Sequence, residues 1–436
     1  VNLIIEPSTQ KFLTHFLILI RAGSLADPDG SSGLAHMVAR ALLRGTRKKS
    51  FQQLSEAIEI LGGSIAVHVD QTETMIRASV LTQNFDRFLD LLAEIMSEPS
   101  FDEAQMKLLK TILEGELEQT LQDPRALVSR ALVQKVFHAT KASLAPEGSV
   151  AGLQRLEAQD FKDLRKYFKA NYVSEKILFG VTSALPEDHL KKAIESAFKK
   201  IPAAGSTPDK SSLHFPASSL STQKSRHAVV INREEMSTVP LFIAVSGVSD
   251  SDPQMLALEV GNFIFGDEFT ARLMQVLRSQ NGWTYGAYSG FTQILGPKSD
   301  AGLFSVYLFP SVEFVHLAVP KALEMLEAYA RDGLSETEFQ FAQEALHNRY
   351  PFRLDTPEKR LSLRVREFAT GRPFRSTQEY RNQLSCLERK TVNDTIRARI
   401  STQSLIVAAA GDSKLLKPVF SQLDGIDLVE ELEVLV

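Results

Sequence analysis

Residues 33–46, GLAHMVARALLRGT, begin as a metal-binding helix would and then break the pattern. In an H-x-x-E-H segment, two imidazoles four residues apart share one helix face, and the carboxylate between them can take a proton from a bound water. Here the first imidazole is His36, but Ala39 stands at the carboxylate position and Arg40 at the second imidazole position. Alanine has no proton-accepting group, and a guanidinium offers no lone pair and repels a cation. Read alone, His36 is a buried helix histidine with a hydrogen-bond partner.

A second constellation lies far downstream. In LRSQNGWTY (277–285), Arg278 and Tyr285 stand seven residues apart. Hydrolysis of a peptide builds negative charge on the carbonyl oxygen, and donors aimed at that oxygen stabilise it. A tyrosine hydroxyl can donate to the oxyanion, while a guanidinium can hold a neighbouring carbonyl with two donors. Trp283 and Tyr288 in the same stretch read as packing residues.

The elements that must carry these residues come in two copies. FLILIRAGSLADPDG (16–30) reads as apolar strand, small-residue turn and Asp-Pro, and LFIAVSGVSDSDPQ (241–254) reads the same way. LEAQDF (156–161) resembles LERKTV (387–392), and the strand ILFGV (177–181) matches LIVAA (405–409). Three matches in order, at offsets between 225 and 231, indicate tandem duplication. Residues 203–227 are rich in Ser, Pro, Ala and Lys, without periodic apolar positions, and read as a linker. The expected domains are therefore 1–202 and 228–436.

Within the first copy, 64–70 and 74–80 alternate as paired strands after a Gly62-Gly63 turn. Residues 84–96 place Phe85, Phe88, Leu89, Leu91, Leu92 and Ile95 on one helix face, and 101–123 is a long helix that ends or bends at Asp123-Pro124. The expected fold class is α+β: two tandem homologous α/β sandwich domains, each with helices packed on a mainly antiparallel sheet.

Composition narrows the function classes. The 436 residues are 44% apolar and 23% charged, with a net charge of −4. There is no basic excess for nucleic acid or an anionic membrane. No apolar run approaches the roughly 18 residues of a membrane span. Cys386 is the only cysteine, so an intrachain disulfide and thiol-rich metal sites are excluded.

With these residues in place, the chain resembles the pitrilysin-type metallopeptidases, the inverzincins. The family stretch runs approximately G-L-A-H-F-L-E-H-M-x-F-x-G-T, matched here by Gly33-Leu34-Ala35-His36 and closed by Gly45-Thr46. LGGSIAVHVDQTETMIRASV (61–80) looks like the segment after that helix, and RLMQVLRSQNGWTYGAYSG (272–290) looks like the family's R-L-x-x-x-L-R-x-x-x-G-x-x-Y stretch. The resemblance spans nearly the whole chain. It implies that Glu116, 76 residues beyond position 40, stands where the family's third zinc ligand would be, and that Arg278 and Tyr285 match a pair lent by the C-terminal half to a zinc site on an opposing half. Relatives are often glycine-rich near 265–273; this chain has one glycine there, which puts a flexible-loop role in doubt.

From this reading follow several expectations. His36, Ala39, Arg40 and Glu116 form a degenerate zinc site that holds no metal, with Arg40 paired to Glu116 in a buried ion pair. The chain alone is inactive and binds no cofactor. It serves as the non-catalytic subunit of a heterodimeric zinc peptidase whose partner, a homologous subunit with intact H-x-x-E-H, carries the zinc and cleaves unfolded peptides, bound by strand addition to a sheet edge. The alternative is a structural subunit, like the core proteins of the mitochondrial cytochrome complex. The chain opens Val-Asn-Leu without an initiator Met; with the resemblance to exported bacterial relatives, this gives an expectation of a periplasmic location, the cytosol being the alternative.

Overall fold

The computed structural model describes residues 2–138, 140–203, 225–249, 252–293, 302–371 and 374–433. Eleven strands form two sheets among the described residues. The first contains β1 (Asn2–Pro7), β2 (Leu13–Ile20), β3 (Ser64–Val69), β4 (Thr74–Leu81) and β5 (Ile177–Ser183), in the order β1-β5-β2-β4-β3. The second contains β6 (Arg226–Asn232), β7 (Leu241–Ser246), β8 (Thr284–Gln293), β9 (Gly302–Pro310), β10 (Leu405–Gly411) and β11 (Leu428–Glu431), in the order β11-β6-β10-β7-β9-β8. Setting β11 aside, the second sheet repeats the topology of the first strand for strand. β1 pairs with β5 in parallel, β11 and β10 pair with β6 in parallel, and the other ladders are antiparallel. The mixed α+β architecture and the duplication are thus both present.

The helical sequence match sits at the same junction in both copies. LEAQDF runs from the end of the helix Val150–Ala158 to the start of Lys162–Asn171, before β5. LERKTV runs from just after the helix Thr377–Ser385 into Arg389–Arg399, before β10. The helix boundaries differ by a few residues between the copies. β6 also begins at Arg226, inside the stretch read as linker, while residues 204–224 lie outside the described residues.

Local chemistry sets the helix boundaries. Asp102 caps Glu103–Gln122 by accepting from the Gln105 amide. Asp123, held extended at ψ 110° before proline, ends that helix. Its carboxylate then caps the next helix, Pro124–Val136, at the Arg125 amide. Phe85–Ser97 buries Phe85, Phe88, Leu89, Leu91, Leu92 and Ile95, the face the spacing anticipates.

Each sheet is covered on one face by helices of its own half and on the other by a helix of the opposite half. Val128, Leu132 and Val136 pack on the second sheet against Val229, Ile231, Ala244, Ile406 and Ala408. In exchange, Leu361, Val365 and Ala369 of the helix Pro357–Thr370 pack on the first sheet against Ile4, Leu17, Leu19 and Leu178. Burial of this kind is worth roughly 1.5–3 kcal/mol per large side chain, so neither face is stable uncovered. The exchange is pinned by Glu6, 7% exposed, which accepts from Arg360 Nε at 2.7 Å and Arg364 Nη1 at 2.9 Å. No described helix is long and apolar enough to cross a membrane.

Candidate functional site

The helix Leu34–Ala41 carries the degenerate motif. Gly33 precedes it at φ +93°, a conformation that favours glycine. The carboxylate of Asp27 accepts from the Gly33 amide at 2.9 Å and the Ala35 amide at 2.8 Å, fixing the start of the helix. Burial pushes the Asp27 carboxyl up to about 7 against the pull of those amides. The Asp-Pro signature of the repeat thus has a physical role: in the second copy, Asp252 accepts from the Gln254 amide at 2.8 Å.

On this helix Ala39 is fully buried in the core, with Val38 and Leu42. Its methyl group packs there and offers no proton acceptor. Arg40 points the other way. Its Nη1 donates to Glu116 Oε2 at 2.8 Å and its Nη2 to Glu116 Oε1 at 2.9 Å. The side chains are 28% and 47% exposed, so the pair is not the buried one expected from sequence. The guanidinium holds the Glu116 carboxyl below its ordinary value. Arg44, one turn further, lies within electrostatic reach of both groups and stacks 4.9 Å over the Phe51 ring.

His36 is half-buried, and burial lowers its pKa, favouring the neutral ring. The expected hydrogen-bond partner is not there: Nδ1 is buried with no partner among the described residues. Glu147, Arg40, Glu116 and His68 are the charged or titratable groups around it.

These residues do not fit zinc. A catalytic zinc takes three protein ligands, and both oxygens of Glu116 are engaged by Arg40. His36 is the one intact ligand of the motif, and two guanidinium groups stand where a dication would need negative charge.

Arg278 and Tyr285 present the opposite picture. Arg278 lies in a seven-residue π-helix, Met274–Gln280, a geometry that widens the turn and re-aims the side chains. The Gly282 amide donates to Arg278 O at 2.9 Å and the Trp283 amide to Leu277 O at 3.0 Å, closing the helix at a glycine with φ +66°. β8 then starts at Thr284, and its register against β9 shifts between Thr284 and Ala287, so Tyr285 sits on a bulge. Tyr285 is 66% exposed, and its ring lies 6.4 Å from Phe309, nearly parallel. Arg278 is exposed, with its guanidinium 4.9 Å over the Phe269 ring. Trp283 packs against the core as expected, but Tyr288 is 40% exposed and is not a packing residue.

Residues 265–273 are not a flexible glycine loop. A second π-helix, Phe263–Asp267, approaches β8 closely: a Cβ on Gly266 would meet Ser289 Oγ at 2.3 Å. Arg272 anchors the following turn, with Nε 2.7 Å from Glu338 Oε1 and Nη2 2.6 Å from Oε2. That pairing holds the Glu338 carboxyl down to about 2. Sequence reasoning marked Arg272 only by register and missed Glu338, although the capping-box pattern Ser335-x-x-Glu338 is visible in the sequence.

Family models match both halves. Residues 4–147 match "Insulinase (Peptidase family M16)" and residues 160–346 match "Peptidase M16 inactive domain". The chain belongs to peptidase family M16. Its relatives include the "Non-peptidase homolog YmxG" of Helicobacter pylori, 24% identical over 90% of this chain and 87% of that protein. The "Uncharacterized zinc protease YmxG" of Bacillus subtilis is 20% identical over 87% of this chain and 88% of that protein. Among solved structures, a peptidase M16 inactive domain from Pseudomonas fluorescens superposes with a TM-score of 0.83 at 18% identity, covering 94% of this chain and 95% of that one. A chain of Candida albicans Complex III2 superposes with a TM-score of 0.75 at 18% identity, covering 94% and 93%. Within the M16 family this chain departs from the H-x-x-E-H motif: its motif helix carries Ala39 and Arg40 where zinc-dependent hydrolysis needs a base and a ligand.

Proposed function

We propose that this M16 chain is the non-catalytic subunit of a two-chain zinc peptidase and lends Arg278 and Tyr285 to a metal site on a homologous partner with an intact H-x-x-E-H. The observation that carries this reading is a contrast within one molecule. The motif helix is closed by the Arg40–Glu116 pair, while Tyr285 stands exposed on a bulge. A donor needed only for packing would be buried; a donor meant for another chain's substrate must protrude. Unfolded peptide is the fitting substrate, because β3 and β8 each end their sheet and, among the described residues, leave a backbone edge unpaired for an extended chain.

In this arrangement a zinc held by the partner would supply the activated water. Tyr285 donates its hydroxyl proton in a hydrogen bond to the developing oxyanion, and Arg278 fixes an adjacent carbonyl. The experiment is reconstitution: the chain alone, the partner alone and the mixture are assayed for zinc and for cleavage of a short unstructured peptide. Zinc in the partner and turnover on mixing support the proposal. A mixture no faster than the partner alone, with a stable complex still formed, favours a structural subunit instead, the reading suggested by the fold shared with a chain of Complex III2.

A further inference from the structure

The described residues contain a cleft of about 360 Å³ that neither the degenerate motif nor the Arg278–Tyr285 pair explains. Its walls come from both halves. Tyr288, Gly290, Ser305, Tyr307 and Phe309 of β8 and β9 form the floor, and Arg125, at the start of the exchanged helix Pro124–Val136, forms the lip. The floor is aromatic and continuous: Phe242 to Tyr307 is 4.7 Å between ring centroids, Tyr307 to Phe309 is 5.5 Å, and Phe309 to Tyr285 is 6.4 Å. The track therefore leads from the packed interior to Tyr285. The Arg125 guanidinium lies 4.6 Å over the Tyr307 ring and makes no ion pair among the described residues. Asp123, the neighbouring carboxylate, is engaged by the Arg125 amide.

Two small residues keep the slot open. Nothing lies within 4 Å of a Cβ built on Gly290, so any side chain there would project into free space. Ser305 pairs with Gly290 across the ladder, between the rings. β8 pairs only with β9 among the described residues, so its other edge can accept a further strand. A peptide added along that edge directs every second side chain to this face.

We infer that the cleft is a subsite for a large aromatic side chain of an extended peptide paired with β8, held between the Tyr307–Phe309 floor and the Arg125 guanidinium. The inference rests on the peptide-binding reading above and names the side chain that this surface selects. The chemistry is specific: faced by several rings and a planar cation, an aromatic side chain gains both ring packing and a cation–π contact, and the cleft volume falls within the roughly 300–1,000 Å³ range of small-ligand sites.

The test is calorimetric titration of the full chain with two ten-residue unstructured peptides that differ only in a central Phe or Ala. The expected result is binding roughly tenfold tighter for the Phe peptide. The preference should fall below about twofold in Gly290→Leu, which fills the slot, and weaken severalfold in Arg125→Ala, an exposed change that leaves the sheet intact. Equal affinities for wild type, no binding of the Phe peptide, or a preference that survives both substitutions overturns the subsite. The parent reading is judged separately, by the response of reconstituted turnover to Tyr285→Phe. A chain that selects Phe yet is indifferent there keeps the subsite and loses the two-chain peptidase.

Discussion

Arg40 grips Glu116 with both terminal guanidinium nitrogens, at 2.8 and 2.9 Å, across 76 residues of sequence. The pair joins the motif helix to the long helix Glu103–Gln122 and occupies both oxygens of the carboxylate a metal would need. The arginine has taken over the bridging geometry of a metal without its chemistry.

If that is so, the obstacle to metal binding is local. Arg40→His presents His36, the new imidazole and Glu116 together, and should gain zinc affinity measurable by competition with a colorimetric chelator, while the wild type shows none. Hydrolysis should stay absent in this variant, because Ala39 still supplies no base. Zinc bound equally by wild type and variant would contradict the account of the site.

The exposure of the pair limits its thermodynamic weight. Glu116→Ala should cost only about 0.2–1 kcal/mol, since solvent screens the partners. Glu6→Ala should cost on the order of 2 kcal/mol, because it strips a buried carboxylate from Arg360 and Arg364 at the join between halves. Chemical denaturation of both variants checks the ranking, and a larger loss at Glu116 would reverse it.

Helix exchange predicts interdependence. Residues 1–203 expressed alone expose Val128, Leu132 and Val136, and residues 225–436 alone expose Leu361 and Val365. Each half should be poorly soluble by itself, and the two co-expressed should copurify as a folded complex. A soluble, cooperatively unfolding single half would show that the exchange is dispensable.

Acid–base linkage gives a signed prediction. Burial raises Asp27 and Glu73 to about 7, so the folded chain binds these protons more tightly than the unfolded chain does. Their contribution to stability is complete below the ordinary carboxylate range and is lost as pH rises through 7. Glu338, held near 2 by Arg272, acts oppositely, but its contribution is complete above the ordinary carboxylate range and is lost only as pH falls through about 2. Within the interval itself His36, whose pKa burial lowers, offsets part of the loss. The melting temperature should therefore fall by roughly 5 °C between pH 5 and 8, and Asp27→Asn should flatten the slope. A melting temperature that climbs over this interval would contradict the assignment.

Much of this was readable in the sequence because the signals were local. The alternation of 64–70 and 74–80, the apolar face of 84–96 and the pre-proline stop at Asp123 depend on near neighbours, and the structure has each of them. The Arg40–Glu116 contact was reached from the family spacing. Its exposure was not, since nothing in the sequence says what covers a helix face. The helix exchange was hidden for the same reason: Val128, Leu132 and Val136 announce a buried stripe but not which sheet receives it. The aromatic cleft needs Arg125 beside Tyr307, a juxtaposition created by that exchange. The π-helical turn at Met274–Gln280 leaves no periodic mark distinct from an ordinary helix.

The division of labour between two chains is tested most directly by the turnover of the reconstituted pair carrying Tyr285→Phe. Removing one oxyanion donor should lower kcat roughly ten- to a thousandfold, with KM little changed and the complex intact. Undiminished kcat in that variant would contradict the claim that this chain lends its donors to chemistry at its partner's metal.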